Sequence, residues 1–279
     1  MRVGYLGPTG TWSEAALRAS APAGTDEVAY PTIHDAVMAV EEGTVERAVV
    51  PIENALEGSV AVTLDTLALE AVGVRVVGEV LQPVRHCLVA EGKLDLGDVT
   101  RVVSHPQAIA QCARFLRERL PQAEHVSAPS TADAVLSVRD GDRRAVAIAS
   151  PLAAELYGVR LLAEDVGDHP DNVTRFVWLA RAEEAVAPAS EAKTTIVFWG
   201  GGDDQSPGWL VDVLGELSTR AVNLTRIESR PRRIRLGHYM FFADLEGAAE
   251  RPPVSEALAA LAGHVEEVRV LGSYGAARA

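Results

Sequence analysis

Cysteine is nearly absent from the 279-residue sequence, and its two occurrences fit no metal or disulfide motif. Cys87 and Cys112 lie far apart, and neither belongs to a CxxC pair. This usage argues against disulfide cross-links and a thiolate metal site, and it indicates a reducing compartment. The histidines also lack the i, i+4 spacing with a third ligand that is typical of zinc sites. We therefore expect no bound metal.

Long apolar runs and an excess of basic residues are missing as well. No apolar segment is long enough to span a bilayer, and the N-terminal MRVGYLGPTG has no secretory h-region. The net charge of −13 disfavours nucleic acid and anionic membranes, since both are bound by clustered basic groups. The one dense basic run, from Arg230 to Arg235, is interpreted as a solvated strand end or hairpin. The sequence predicts a cytoplasmic protein with no nucleic-acid and no membrane partner.

The sequence does have the composition of a globular protein, with 48% hydrophobic and 23% charged residues. At this length a chain usually divides into two domains. Up to residue 180, short β-branched runs alternate with amphipathic stretches, which is typical of an α/β layer fold. Strands are expected at 2–6, 46–52, 101–104, 145–150 and 174–180. Helices are expected from Trp12 and near 33–42, 59–70, 106–119, 131–139 and 151–157.

A change of composition divides the chain near residue 180. Residues 181–192 are rich in Ala, Glu and Pro and are predicted to be a linker between domains at 1–180 and 193–272. The second domain has the order βαββαβ, which is that of the ferredoxin-like split βαβ unit. Its elements are expected at 193–199, 207–219, 222–229, 237–245, 253–262 and 265–271.

Polar, hydroxyl-rich turns recur where a predicted strand runs into a helix. They are GPTGTWS, PIENALEGS, SHPQA, PSTAD and ASP. The carboxyl ends of strands line the crevice of an open α/β sheet, and helix N-termini there offer free amide donors. Each turn alone would be an ordinary helix cap, as in the capping box of Thr11 and Glu14. Together the turns predict a site for a small anion.

In this order, GPTGTWSEAA, PIENALEGSV, SHPQAIAQC, STADAV and DNVTRF resemble the successive motifs of prephenate dehydratases. The later motifs PGWLVDVL, NLTRIESRP and GHYMFFADLEG resemble the ACT domain that follows in that family. The resemblance covers nearly the whole chain. It implies an α/β fold with a two-lobed, periplasmic-binding-protein-like catalytic domain and a ferredoxin-like ACT domain.

The resemblance also implies an activity, which is the loss of carbon dioxide and water from prephenate to give phenylpyruvate in phenylalanine biosynthesis. Aromatisation drives this elimination, so no cofactor is expected. Donors aimed at the departing hydroxyl suffice in principle. With no mutase or dehydrogenase extension in the sequence, the chain is expected to be monofunctional.

The motifs assign candidate site residues by position. Thr174 corresponds to the family's essential threonine and would donate a proton to the leaving hydroxyl. The candidate substrate-binding residues are Thr11, Asn54, Ser59, Ser104, Gln107 and Arg175. Strand alternation, however, can direct Arg175 away from Thr174.

The ACT resemblance implies feedback regulation by L-phenylalanine, bound between paired ACT domains of a homodimer or homotetramer. The candidate effector-binding residues are Gly208, Trp209, Leu210, Asn223, Leu224, Glu228, Ser229 and Arg230. Three residues depart from the family's usual pattern. Trp12 replaces phenylalanine, Ala55 replaces serine, and Trp209 replaces a small alanine, where its indole is expected to fill or reshape the effector pocket.

Two alternatives remain open. The same cleft would suit a non-catalytic binding protein that responds to an amino acid, although the TRF motif argues against it. An arogenate dehydratase would carry out the same elimination on the aminated substrate, and no residue separates the two. The absence of an Arg/Ser-rich leader favours prephenate.

Overall fold

The structure, a computed structural model, describes residues 1–184, 191–200 and 207–277. Three β-sheets organise these residues. The first two belong to two α/β lobes, and the third forms an antiparallel layer with two helices. The expected two-lobed α/β fold with a ferredoxin-like unit is confirmed.

The first lobe contains a mixed sheet in the order β2-β1-β3-β11-β5, with β4 paired to β3. Strands β1, β2 and β3 are parallel, whereas β11 is antiparallel to both of its neighbours. The strands are β1 (Arg2–Leu6), β2 (Asp26–Tyr30), β3 (Arg47–Asn54), β4 (Gly58–Ser59), β5 (Val74–Pro83) and β11 (Val173–Arg181). The helices are α1 (Trp12–Ser20), α2 (Ile33–Glu41) and α3 (Ala61–Leu69).

The second lobe contains a five-stranded sheet in the order β10-β6-β9-β7-β8. Its strands are β6 (Cys87–Ala90), β7 (Arg101–Ser104), β8 (Glu124–Ser127), β9 (Ala145–Ala149) and β10 (Arg160–Ala163). Its helices are α4 (Pro106–Gln111), α5 (Ala113–Arg119), α6 (Thr131–Arg139) and α7 (Pro151–Tyr157). Strands β7, β8 and β9 are parallel, so the helices that follow them begin on one edge of the sheet.

Two crossover segments join the lobes, because the chain leaves the first lobe after β5 and returns in β11. The segments lie side by side, and the Val84 amide donates to the Asn172 carbonyl at 2.8 Å. The Val166 amide likewise donates to the carbonyl of His86 at 2.9 Å. These bonds fix the two crossovers against each other at the base of the cleft between the lobes.

The third sheet has the order β13-β14-β12-β15, the ferredoxin-like arrangement. Its strands are β12 (Ala192–Trp199), β13 (Leu224–Pro231), β14 (Tyr239–Glu246) and β15 (Glu267–Gly275), and its helices are α8 (Trp209–Thr219) and α9 (Val254–Leu261). Along β12, Ile196 and Phe198 pack with the helices, whereas Val197 and Trp199 pack with the core of the first lobe. Burial on both faces explains the nearly continuous apolar run of this strand.

A glycine allows the third sheet to approach the first lobe closely. A Cβ on Gly272 would lie 2.2 Å from the carbonyl oxygen of Val76 in β5. Only a residue without a side chain fits between these two backbones. The strand β15 therefore packs directly against β5, and one hydrophobic core continues across both units.

Most of the expected elements are present, but two differences stand out. The helix expected over 106–119 is divided at Cys112, whose φ of −114° interrupts it. Strand β5 was not predicted, although it is the longest strand of the first sheet. The predicted linker falls mainly on residues 185–190, which lie outside the described residues.

None of the helices in the described part of the chain is long and apolar enough to cross a membrane. Both cysteines are buried as free thiols. Burial raises the pKa of the Cys112 thiol to about 12. This thiol is therefore protonated at neutral pH and is not a nucleophile.

Candidate active site

A cavity of about 470 Å³ lies between the two lobes. It is lined by the turns after β1, β3, β7 and β8 and by the start of β11. Its polar lining residues are Thr11, Ser13, Asn54, His86, His105, Gln107, Gln111, Ser130, Thr131 and Thr174. None of the described residues that line the cavity is Asp, Glu, Lys or Arg. The cavity therefore offers neutral donors and helix N-termini rather than formal charges.

Helix α1 begins at this cavity and is capped as its sequence predicts. The hydroxyl of Thr11 accepts from the Glu14 amide at 3.4 Å and donates to the Leu6 carbonyl at 2.8 Å. The Glu14 carboxylate accepts from the Gly10 amide, one residue earlier than an ideal capping box would place it. The Thr11 hydroxyl thus holds the turn, whose residues Thr11, Trp12 and Ser13 line the cavity.

Thr174 and Asn54 are directly paired across β11 and β3. The Asn54 side-chain oxygen accepts from the backbone amides of Leu56 and Glu57, at 2.9 and 3.0 Å. This Asx turn fixes the orientation of the Asn54 amide. Its Nδ2 then donates to Oγ1 of Thr174 at 2.9 Å. Because that oxygen already accepts from Asn54, the hydroxyl proton of Thr174 remains available to a ligand.

The Asn54 amide begins a chain of hydrogen bonds that reaches the second lobe. Its Nδ2 also donates to Oδ1 of Asn172 at 2.8 Å, and Nδ2 of Asn172 donates to Oε1 of Gln111 at 3.0 Å. Gln111 donates from Nε2 to the Glu57 carboxylate at 3.0 Å, and its Oε1 is 2.9 Å from Nε2 of His86. Because a carboxylate can only accept, the amide nitrogen of Gln111 must face Glu57. The bond that Gln111 accepts from Asn172, at the end of the chain from Asn54, requires the same orientation.

Four of the residues predicted from the motifs line the cavity: Thr11, Asn54, Gln107 and Thr174. Ser104 does not. It is fully buried, and its hydroxyl donates to the Ile148 carbonyl at 2.7 Å between β7 and β9. The expectation that Ser104 binds the substrate is corrected, because the sheet already uses its one proton.

Arg175 also lies away from the cavity, as strand alternation allows. Its guanidinium donates to Glu53 and Glu79 at 3.1 Å and to Asp244 at 2.6 Å. Burial opposes its charge, but the carboxylates of Asp244, Glu79 and Glu53 outweigh this and raise the pKa of Arg175 above its usual value. The prediction that Arg175 pairs with a substrate carboxylate is corrected, because three protein carboxylates occupy it.

Ser59 faces the third sheet rather than the cavity. Its hydroxyl accepts from Nη2 of Arg226 at 2.9 Å and donates to the Glu228 carboxylate at 3.2 Å. Both partners lie on β13. The predicted substrate contact of Ser59 is therefore replaced by a contact between the first lobe and the third sheet.

A second cavity, of about 230 Å³, lies in the third layer where α8 begins. Its lining includes the predicted Gly208, Trp209 and Leu210, together with Tyr239 and Phe241 of β14. The Trp209 indole packs against Phe241, and its Nε1 donates to the His264 carbonyl at 2.8 Å. The indole therefore forms one wall of the cavity and leaves the space beside it open.

The other predicted effector residues do not line this cavity. Asn223 and Ser229 are exposed, and Leu224 packs with the helices of the layer. Glu228 and Arg230 face the first lobe, where Arg230 donates to both carboxylate oxygens of Asp65, at 3.0 and 2.7 Å.

The basic run from Arg230 to Arg235 is likewise not a purely solvated segment. Arg233 also donates to Asp65, at 2.6 Å, and Arg232 pairs with Glu266 at 3.1 Å. Burial acts to raise the pKa of Asp65, but Arg230 and Arg233 outweigh it and hold that pKa below its usual value. Two of the four arginines of the run, Arg230 and Arg233, therefore bind the third sheet to helix α3.

Sequence reasoning did not single out three residues of the cleft network: His86, Gln111 and Asn172. Gln111 and Asn172 lie within motifs that were recognised, where their polar character was a usable signal. His86 follows the unpredicted strand β5, so no local pattern indicated its position.

The family model described as prephenate dehydratase matches residues 3–184, and the model described as ACT domain matches residues 201–263. The chain belongs to the prephenate dehydratase family. Its activity is that of a hydro-lyase acting on prephenate, and an ACT domain forms its C-terminal part.

Individual relatives agree over nearly the full chain. The prephenate dehydratase of Amycolatopsis methanolica is 40% identical, over 98% of this chain and 88% of its own. The structure of the Arthrobacter aurescens enzyme in complex with L-Phe is 38% identical, with a TM-score of 0.89, covering 99% of this chain and 90% of that one. A protein described as GqqA, a novel type of quorum quenching acylase, is 34% identical, with a TM-score of 0.87 over 99% and 98% of the two chains.

Proposed function

We propose that prephenate loses carbon dioxide and water in the cavity between the lobes, with Thr174 as the proton donor. One observation carries this proposal. Asn54 donates to the Thr174 oxygen at 2.9 Å, and the Asx turn fixes that direction. Thr174 can therefore only donate its proton elsewhere, and it lies on the wall of a cavity of about 470 Å³.

The reaction needs one proton and no added electrons. The ring carboxylate leaves as carbon dioxide, and its bonding electron pair moves through the ring and breaks the carbon–oxygen bond to the hydroxyl. The departing hydroxide takes a proton from Thr174 and becomes water, while solvent returns a proton to the threonine. A donor positioned where negative charge develops stabilises that transition state.

The rest of the cavity suits the binding of a dianion without strong charge pairing. The turn of Thr11 and the side chain of Gln107 supply neutral donors, whereas Asn54 already uses its amide protons within the protein. The positive ends of the dipoles of α1 and α6 lie at the same cavity. We assign these groups to the orientation of the two substrate carboxylates.

Turnover of the purified full chain on prephenate tests the proposal. Phenylpyruvate is followed by its absorbance in alkali, with EDTA present, and arogenate serves as the alternative substrate in parallel. Phenylpyruvate formation from prephenate supports the assignment. A protein that binds prephenate in a thermal-shift assay but turns over neither compound would be a binding protein instead.

The acylase described among the similar structures provides a useful contrast. An acylase needs a nucleophile activated by a base that accepts its proton. In the cleft Thr174 receives a hydrogen bond from an amide, and no described carboxylate or histidine is bonded to its hydroxyl. The geometry therefore favours proton donation over nucleophilic attack.

For the C-terminal part we propose an ACT regulatory domain at 193–272, joined by a linker at 181–192 to a catalytic domain at 1–180. The Arthrobacter aurescens enzyme is described in complex with L-Phe, and we propose that L-phenylalanine binds to this chain in the second cavity. Val211 and Tyr239 line this cavity and remain 71% and 45% exposed. We propose that a second copy covers them in a cytoplasmic homodimer or homotetramer.

Sedimentation with and without L-phenylalanine tests both the effector site and the oligomeric state. A monomer that L-phenylalanine leaves unchanged would refute the pairing.

A further inference from the structure

His86 lines the catalytic cavity and has one nitrogen without a partner. It lies on the first crossover between the lobes, directly before β6, and its side chain is only 4% exposed. Its Nδ1 is buried and has no hydrogen-bond partner among the described residues. A buried polar atom without a partner costs free energy, so a group that satisfies it in the working enzyme is expected.

The hydrogen-bond network determines which nitrogen of His86 carries the proton. Oε1 of Gln111 is oriented both by Asn172, which donates to it, and by Glu57, which accepts from the other end of the amide. This oxygen can only accept, so the Nε2 of His86 at 2.9 Å must be the protonated nitrogen. Burial lowers the pKa of His86, although Gln111 acts to raise it. The imidazole is thus neutral, and Nδ1 carries a free lone pair.

A free lone pair selects the kind of ligand group that can bind. The two carboxylates of prephenate only accept hydrogen bonds, and so does its keto group. Its hydroxyl is the one group that can donate. The Trp12 ring packs edge to face with the imidazole of His86, with centroids 6.1 Å apart.

We propose that His86 is a further substrate-contacting residue, which accepts the proton of the prephenate hydroxyl at Nδ1 while Thr174 donates to the oxygen of that hydroxyl. This inference rests on the proposed function. The contact orients a lone pair of the hydroxyl oxygen towards Thr174. It persists when the hydroxyl leaves as water, since water keeps the original proton, so the contact stabilises bound substrate and transition state alike.

Two substitutions separate the nitrogens of His86. His86→Gln keeps a donor near the Nε2 position for Gln111 but has no polar atom at Nδ1. His86→Asn keeps an acceptor near Nδ1 and loses the donor. For His86→Gln we expect kcat/KM for prephenate to fall about 10- to 100-fold, mainly through KM. His86→Asn should lose less than about tenfold.

The product phenylpyruvate has no ring hydroxyl and provides the matched control. Its inhibition constant should change less than about twofold in His86→Gln. Equal weakening of phenylpyruvate and prephenate, or wild-type kcat/KM in His86→Gln, would overturn the proposal. Wild-type kcat/KM in His86→Gln would indicate that Nδ1 is hydrogen-bonded by water from the outer pocket beside Arg85 and Asp165. A wild-type chain that makes no phenylpyruvate would refute the proposed function instead, so the two failures are distinguishable.

Should His86→Gln fail to fold, nitrogen NMR of the Thr174→Val protein, with native His86, decides the question. We expect an unprotonated Nδ1 whose resonance shifts when prephenate binds and not when phenylpyruvate binds. A protonated Nδ1, or equal shifts with both ligands, would contradict the proposal.

Discussion

The two faces of the β3–β11 pair carry two different networks made from neighbouring residues. On the cleft face Asn54 is paired with Thr174, and one position away, on the other face, Glu53 is paired with Arg175. The contacts that Asn54 makes on the cleft face are to an amide and a hydroxyl, whereas the opposite network joins Arg175 to three carboxylates. Alternation along each strand makes this separation possible.

The difference between the neutral network and the ionic network indicates the role of each face. A dianionic substrate would be repelled by carboxylates, and strong cationic partners would hold its carboxylate too firmly for it to leave. Neutral donors with fixed directions avoid both problems. The ionic network lies where the first lobe meets the third sheet, and Lys193 of β12 adds a contact to Glu79 at 2.7 Å. We expect substitutions on the cleft face to change turnover and those on the ionic face to change stability.

Thr174→Val should produce the largest effect. Loss of the donated proton is expected to lower kcat about 10²- to 10⁴-fold. The thermal midpoint should fall only slightly, because Nδ2 of Asn54 loses its bond to Thr174 but keeps those to Asn172 and to the Val173 carbonyl. Steady-state assays and thermal unfolding measure both quantities. Thr174→Ser, which keeps the hydroxyl, is the control and should retain most of the turnover. Wild-type kcat in the valine variant would refute the role of Thr174.

Arg175→Met should show the opposite behaviour. It leaves the carboxylates of Glu53, Glu79 and Asp244 facing one another without their shared cation. Removing one partner of a buried ionic network costs about 3–5 kcal/mol, so the unfolding midpoint in denaturant should fall substantially. At a temperature where the variant is folded, kcat should stay near the wild-type value. A stable variant without turnover would show that Arg175 acts on the substrate after all.

Asp65→Asn tests the second ionic contact between the first lobe and the third sheet, with a smaller effect. The lowered pKa of Asp65 in the folded state means that its contribution is present above the unfolded pKa and is lost as the pH falls through the folded pKa. We expect a loss of about 1–2 kcal/mol at pH 7, since Arg233 is largely exposed. Unfolding curves between pH 7 and 3 should show the wild type and the variant converging. A difference that is independent of pH would contradict this assignment.

Trp209→Phe should have the smallest effect. It keeps an aromatic wall for the second cavity, and it removes the hydrogen bond to the His264 carbonyl and part of the packing against Phe241. The expected loss of stability is about 1 kcal/mol. Calorimetric titration with L-phenylalanine should show an affinity within about tenfold of wild type. Complete loss of binding would show that the indole N–H itself is part of the effector site.

The sequence predicted the third layer better than the first sheet. All six βαββαβ elements are present, because each has a clear apolar period and a turn signal at its ends. Strand β5 was missed because its pattern includes Gly78, Glu79 and Gln82. The polar Glu79 is buried only because Arg175 and Lys193 come from distant parts of the chain. A local pattern contains no information on such partners.

The candidate site shows the same limit. The order of the motifs indicated the cavity and placed Thr174 and Asn54 in it, but it also placed Ser59, Ser104 and Arg175 there. The polar character of these three residues was evident, whereas the groups that satisfy it were not. Hydrogen-bond partners more than forty positions away decide where each of them points.

The sequence by itself determined the family, the α/β and ferredoxin-like elements, and the helix caps that surround the cleft. These depend on local periodicity, on capping residues and on motif order. The tertiary structure alone decided which face each polar side chain occupies, the direction of the hydrogen bonds from Asn54 to His86, and the ionic contact between the first lobe and the third sheet. The physical reason is that a hydrogen bond or ion pair is defined by two partners in space, and here those partners come from distant positions in the chain.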